Sequence, residues 1–239
     1  MLFRDDCSLS VVAGPHASPP GDYEGLIVTG DDLPPLLSPT MLMDPPGYSA
    51  WERHMVARCS VLDRSPEAVV ATLTRDARML RAWRPGEVTL VDAVRGLPGN
   101  PANEDLPSTL AASLYLYAQV MRAVPDDLRP QPDEEDLESA FIEHVVPAWP
   151  GFYAPLNRYL AAKAFASWTA YQGRGVMSIV RGLEAALAVV RIESARQCRA
   201  AGRGLDTDLL REAFRSADFI LNHLAVGEDL AEAWSEVEF

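Results

Sequence analysis

The chain has 239 residues, 48% of them hydrophobic and 23% charged, with a formal net charge of −13. That balance supports a sizeable core and excludes collagen-like, wholly disordered and disulfide-framework proteins, while the acidic excess repels phosphate backbones and anionic lipid and argues against nucleic acid and membrane surfaces as partners. The longest apolar run, 176–192, is broken by Arg181, Glu184 and Arg191, whereas a membrane span needs about 20 nearly uncharged residues, and Arg4, Asp5 and Asp6 follow Met1 with no apolar leader, so the expected compartment is the cytoplasm.

Residues 1–48 are rich in proline, glycine and aspartate and read as a loop-rich arm in which the short apolar runs Leu9 to Ala13 and Leu26 to Thr29 are possible strands. Helical signals start at Ser49, whose hydroxyl and the Glu52 carboxylate form a capping box for a helix from Ala50 to Leu62. Ser65-Pro66-Glu67 repeats the start signal, and Val69, Val70, Leu73, Ala77 and Leu80 then share one face of a helix ending near Arg84 to Gly86. A short helix is expected at Thr89 to Val94, a break at Leu97 to Asn103, and a third long helix carrying Leu106, Leu110, Leu114, Tyr117 and Met121 that stops at Val124-Pro125.

Acids crowd 126–143, favouring the positive end of a helix dipole, ahead of the apolar face Leu137, Phe141, Ile142 and Val145. Helices follow at Pro155 to Trp168, at Gly173 to Ala201 with Gly202 as C-cap, and from Asp206 to just before Gly227, with a short tail helix after it. The expected fold class is therefore all-α: a bundle of seven or eight helices behind a loop-rich arm, with 1–239 forming one domain.

No constellation of catalytic or metal-ligating residues is spelled out. Cys7, Cys59 and Cys198 lie far apart without a C-x-x-C pair and read as reduced thiols. His54, His144 and His223 fall on separate helices, with no second ligand at the i+3 or i+4 spacing that a helical metal site requires, so neither metal nor cofactor is expected. A nucleophile elbow and a phosphate-binding loop are both missing, and Gly173-Arg174-Gly175 lacks the third glycine of a dinucleotide fingerprint.

The notable asymmetry is the stretch 158–203, which carries eight cations against Glu184 and Glu193 inside an acidic chain. Two readings stand: a cleft for a small acidic ligand or a protein partner, or cations that face the acidic 126–143 segment or simply solvate their own helices. The candidate binding residues are Tyr171, Gly173 and Arg174, at a turn where free backbone N–H groups and a guanidinium attract anions, joined by Arg158 and Lys163 if the flanking helices fold back as a hairpin.

The run Glu24 to Leu26, Asp32-Leu33-Pro34-Pro35-Leu36-Leu37-Ser38-Pro39, Met41 to Asp44 and Tyr48-Ser49-Ala50-Trp51-Glu52-Arg53 resembles the region after the cysteine cluster in bacterial cysteine-cluster proteins, a family of zinc- or iron-chelating and flagellin lysine-N-methylase-like proteins. The later run Leu156 to Leu160, Lys163 to Phe165 and Tyr171 to Gly175 is similar to the helical C-terminal part of the same proteins. Cys7 is the only cysteine before the first helix, so the family's cysteine-rich module is not in this sequence; the expectation is a truncated or diverged relative, or a metal module carried by a separate polypeptide. The resemblance implies a non-catalytic helical accessory or binding domain or, as the alternative, a protein-lysine N-methyltransferase.

Overall fold

The structure is a computed structural model and describes residues 2–4, 36–86, 88–101, 109–129, 137–165, 175–227, 229–230 and 234. Two short strands, β1 (Leu36–Ser38) and β2 (Met41–Leu42), form an antiparallel hairpin ahead of α1 (Pro45–Cys59), α2 (Pro66–Arg81), α3 (Leu90–Arg95) and α4 (Leu110–Arg122). Then come α5 (Leu137–Ala140), which runs into a π-helical turn at Phe141–Val145, a 3₁₀ turn at Trp149–Phe152, α6 (Tyr153–Ala164), α7 (Val176–Ala201) and α8 (Thr207–Phe219), which also ends in a π turn, Ile220–Leu224. The protein is all-α, as its helical periodicities predict.

Several helix ends follow from local chemistry alone. The Ser65, Thr89 and Thr109 hydroxyls accept from the backbone N–H three residues on, at 3.1–3.2 Å, and Asp206 Oδ1 accepts from Asp208 and Leu209 at 3.0 Å. Each satisfies donors that the first helical turn leaves orphaned. Gly202, at φ 61°, closes α7 in the left-handed conformation that glycine adopts without steric cost.

The start of α1 departs from the expected Ser49 cap. Asp44 is the N-cap, its Oδ1 accepting from Gly47 N at 2.7 Å, and Pro45-Pro46 occupies the first helical positions, where a missing N–H costs nothing. The prolines that make this segment look like loop are thus the opening of the helix, and the helix ends at Cys59 rather than Leu62. The strands foreseen at 9–13 and 26–29 lie outside the described residues, as does the tail helix apart from a few positions, and the hairpin at 36–42 is too short to carry a periodic signal.

Helix α7 is the axis of the fold: α2, α4, α6, α8 and the α5 π turn all pack on it, and its Val180, Val189, Val190, Ile192 and Ala195 are fully buried. Its Arg191 is buried as well and forms an ion pair with Glu67 in the first turn of α2. Trp149 Nε1 donates to the same carboxylate at 2.9 Å, its ring lies under the guanidinium with 5.4 Å to the centroid, and Ser113 Oγ of α4 accepts from Arg191 at 3.4 Å. One buried cluster therefore joins α2, α4, α7 and the 3₁₀ turn.

At its other end, α7 starts against the hairpin. Gly175 has φ +109°, and a Cβ there would stand 2.5 Å from the Leu37 carbonyl oxygen, so β1 rests directly on this backbone. Among the described residues no helix is long and apolar enough to cross a membrane.

Three outcomes are expected in denaturant unfolding. Glu67→Ala should cost about 3–5 kcal/mol by stranding a buried guanidinium, whereas the double change Glu67→Leu with Arg191→Met should recover most of that loss because both charges go together. Gly175→Ala should destabilise by more than about 1 kcal/mol, since both the backbone angle and the contact with β1 oppose a methyl group.

Candidate functional site

A cleft of about 660 Å³ opens between α1 and α3. From α1 come Ser49, Arg53, His54 and Arg58, and from α3 and the turn after it Val91, Val94, Arg95 and Leu97. The two helices meet closely because Gly47 sits under Leu90: a Cβ at position 47 would lie 2.5 Å from Leu90 Cδ2. The glycine that helps cap α1 therefore also seats α3.

Behind the cleft lies Asp76 of α2, fully buried, whose carboxylate organises the site. His54 Nε2 is 2.8 Å from Asp76 Oδ2 and Arg58 Nε is 3.4 Å from the same oxygen, while Arg75 donates to Oδ1 from Nε and Nη2 at 2.9 and 2.6 Å. Burial alone would raise this carboxyl, but the hydrogen bonds and charges of His54 and Arg75 outweigh it and hold its pKa below the ordinary 3.8. A carboxylate only accepts, so the short contact places a His54 proton on Nε2, which Arg58 Nε also approaches at 3.4 Å. The ring stacks on buried Trp51, with centroids 5.5 Å apart and planes at 20°.

The two arginines on Asp76 also hold the chain after α3. Arg58 Nη1 donates to Gly99 O at 2.9 Å and its Nη2 to Pro98 O, and Arg75 Nη2 donates to Asn100 O at 3.0 Å. Both guanidiniums are thus committed to structure. Arg53 and Arg95 remain at the rim. Both are exposed; Arg95 has a loose i,i+3 contact with Asp92 at 3.3 Å, and among the described residues Arg53 has no ion-pair partner. Chemically, the cleft offers positive charge and N–H donors over an apolar wall.

The residues singled out in the sequence lie elsewhere. Arg158 of α6 is buried and donates to the Leu2 carbonyl oxygen at 2.8 Å. Lys163 pairs with Asp218 of α8 at 2.7 Å, reaches Asn222 Oδ1 at 3.2 Å and lies over the Tyr159 ring, whose hydroxyl donates to Asp218 at 3.0 Å. Burial, and then the Asp218 charge, push the Tyr159 pKa well up. Tyr171, Gly173 and Arg174 lie outside the described residues.

Neither sequence reading of the basic stretch names the ion-pair partners found: Arg181 pairs with Glu184, Arg191 with Glu67, Arg196 with Glu193 and Arg203 with Asp206, most of them one helical turn away. No group of three His, Cys, Asp or Glu side chains converges among the described residues. Periodicity had treated His54 as an isolated histidine, yet a signal was present: Asp76 stands among Leu73, Ala77 and Leu80 on a buried face, where an acid requires cationic partners.

Asp76→Asn should lower unfolding free energy by about 1–3 kcal/mol at neutral pH by weakening three charged hydrogen bonds. Because the folded-state pKa of Asp76 is depressed, that stabilisation is complete well above 3.8 and is lost as pH falls through the lower folded value, so the gap between wild type and variant should close below pH 3.8 in denaturant titrations. Compared with protein-family models, with curated proteins and with solved structures, the chain matches none.

Proposed function

We propose that this protein is a helical binding domain that takes a small acidic ligand in the α1–α3 cleft. The observation that carries this reading is the pair of exposed arginines, Arg53 and Arg95, on a cleft whose third arginine, Arg58, is already balanced by Asp76 and by the carbonyls of Pro98 and Gly99. Guanidinium groups gathered around a concave site attract carboxylates and other oxyanions more than isolated charges on an open surface do. By contrast, Lys163, Arg191, Arg196 and Arg203 of the basic stretch have acidic partners within the chain.

We also propose, from the resemblance of the sequence, a relationship with the cysteine-cluster proteins as an accessory domain. Part of the run that carries the resemblance, Tyr48 to Arg53, supplies the Ser49, Ala50 and Arg53 side of the site.

Titration calorimetry with citrate and with inorganic phosphate tests the reading. Binding should weaken with added salt and fall at least about tenfold in Arg53→Ala/Arg95→Ala, as expected for losing charge-assisted hydrogen bonds of roughly 1.5–3 kcal/mol. The melting temperature of that variant should hardly change, because both side chains are exposed. Lys163→Ala should lower the melting temperature and leave binding intact. If Arg174→Ala abolishes binding while the Arg53/Arg95 variant retains it, the ligand belongs at the 171–174 turn instead.

A further inference from the structure

We infer that the ligand of this cleft is an amphipathic monocarboxylate, a single carboxylate head carrying an unbranched apolar chain. The inference rests on the anion-binding reading above and narrows it to a chemical class.

Donor supply limits the head group. The Arg58 and Arg75 guanidiniums are spent on Asp76 and on the 98–100 carbonyls, and Arg95 is shared with Asp92. What remains is the Arg53 guanidinium and a share of Arg95, since the His54 Nε2 donor is already spent on Asp76. A planar carboxylate has two oxygens that one fork of guanidinium donors satisfies, whereas a di- or triphosphate brings more charge and acceptors than these groups can meet.

Space and wall chemistry set the rest of the molecule. The volume of about 660 Å³ falls within the range of roughly 300–1,000 Å³ typical of sites for ligands much larger than a bare oxyanion. Val91, Val94 and Leu97 follow one another at three-residue intervals along α3 and the turn after it, and Ala50 and the Pro45-Pro46 pair line the α1 side. At about 1.5 Å per helical residue the α3 side forms an apolar strip roughly 9 Å long, the reach of a medium-length alkyl chain. Arg53 and Arg95 line the same cleft as this strip, so a carboxylate held by them leaves its chain to lie against the valines. An inorganic anion would leave that apolar wall wet.

The test is a calorimetric titration of the full chain with propionate, hexanoate, octanoate and decanoate, each below its micellar concentration, with octanol and octylammonium as head-group controls and phosphate as the bare anion. Affinity is expected to rise about threefold to fourfold per methylene, the equivalent of ~0.8 kcal/mol per buried CH₂, and to level off once the strip is covered. Octanol and octylammonium should bind at least about tenfold more weakly than octanoate. Val91→Ser, at a half-buried position on α3, should flatten the chain-length dependence, whereas Arg53→Ala should weaken every carboxylate by a similar factor.

Phosphate and propionate binding as well as octanoate, through Arg53, would overturn this inference and leave the anion-binding reading standing. Octanol equalling octanoate would overturn both, as would failure of every anion to bind.

Discussion

Helix α2 buries two acids, Glu67 in its first turn and Asp76 in its third, and the way each is neutralised holds the molecule together. Nine residues at about 100° each place them on roughly opposite sides of the helix, so no single neighbour can serve both. Glu67 faces the axis of the fold and takes Arg191 of α7 and the indole of Trp149. Asp76 faces α1 and the chain after α3, and takes His54, Arg58 and Arg75. A buried carboxylate without a partner is too costly to persist, which means that α2 keeps both sets of neighbours at once. This explains why α2 is buried almost all round, and why its Thr72 and Thr74 hydroxyls turn back to the carbonyls of Ala68 and Val70.

The cleft is a by-product of the second of these arrangements. Arg58 and Arg75 each contact the Asp76 carboxylate and also reach carbonyls of 98–100, which fixes the turn after α3 relative to α1. Gly47 lets Leu90 settle on the α1 backbone at the opposite end of α3. With α3 held at both ends, the space between the helices stays open, and Arg53 and Arg95 are left beside it with no buried carboxylate to answer. Structural and candidate binding roles thus divide among arginines that look alike in sequence: Arg58 and Arg75 are held on Asp76, and Arg53 and Arg95 face the opening.

The basic stretch 158–203 shows the same division by context. Its surplus of positive charge is visible in the sequence, but the partners are supplied by packing: Asp218 of α8 meets Lys163, Glu67 of α2 meets Arg191, and the Leu2 carbonyl meets Arg158. Tyr159 and Lys163 share Asp218, so part of this charge asymmetry belongs to the seam between α6 and α8. The distance along the chain between Lys163 and Asp218 leaves no local pattern from which the pairing could be read.

What the sequence by itself determined was the all-α class and much of the helix punctuation. Ser65, Thr89, Asp206 and Gly202 act on N–H and C=O groups within a few residues of themselves, and the stripes on α2, α7 and α8 record which side of each helix is apolar. At Asp44-Pro45-Pro46-Gly47 even this local reading failed, because proline is both a loop former and a tolerated first residue of a helix, and only the packing of α3 on Gly47 separates the two. The tertiary structure alone decided the site. An aspartate at position 76 announces that cations must gather, but which ones arrive, which of their neighbours stay exposed and whether a cavity remains between them depend on α1, α2 and α3 meeting across 20 to 40 residues of chain, and Coulomb interactions and cavity shape follow distances in space that helical periodicity does not encode.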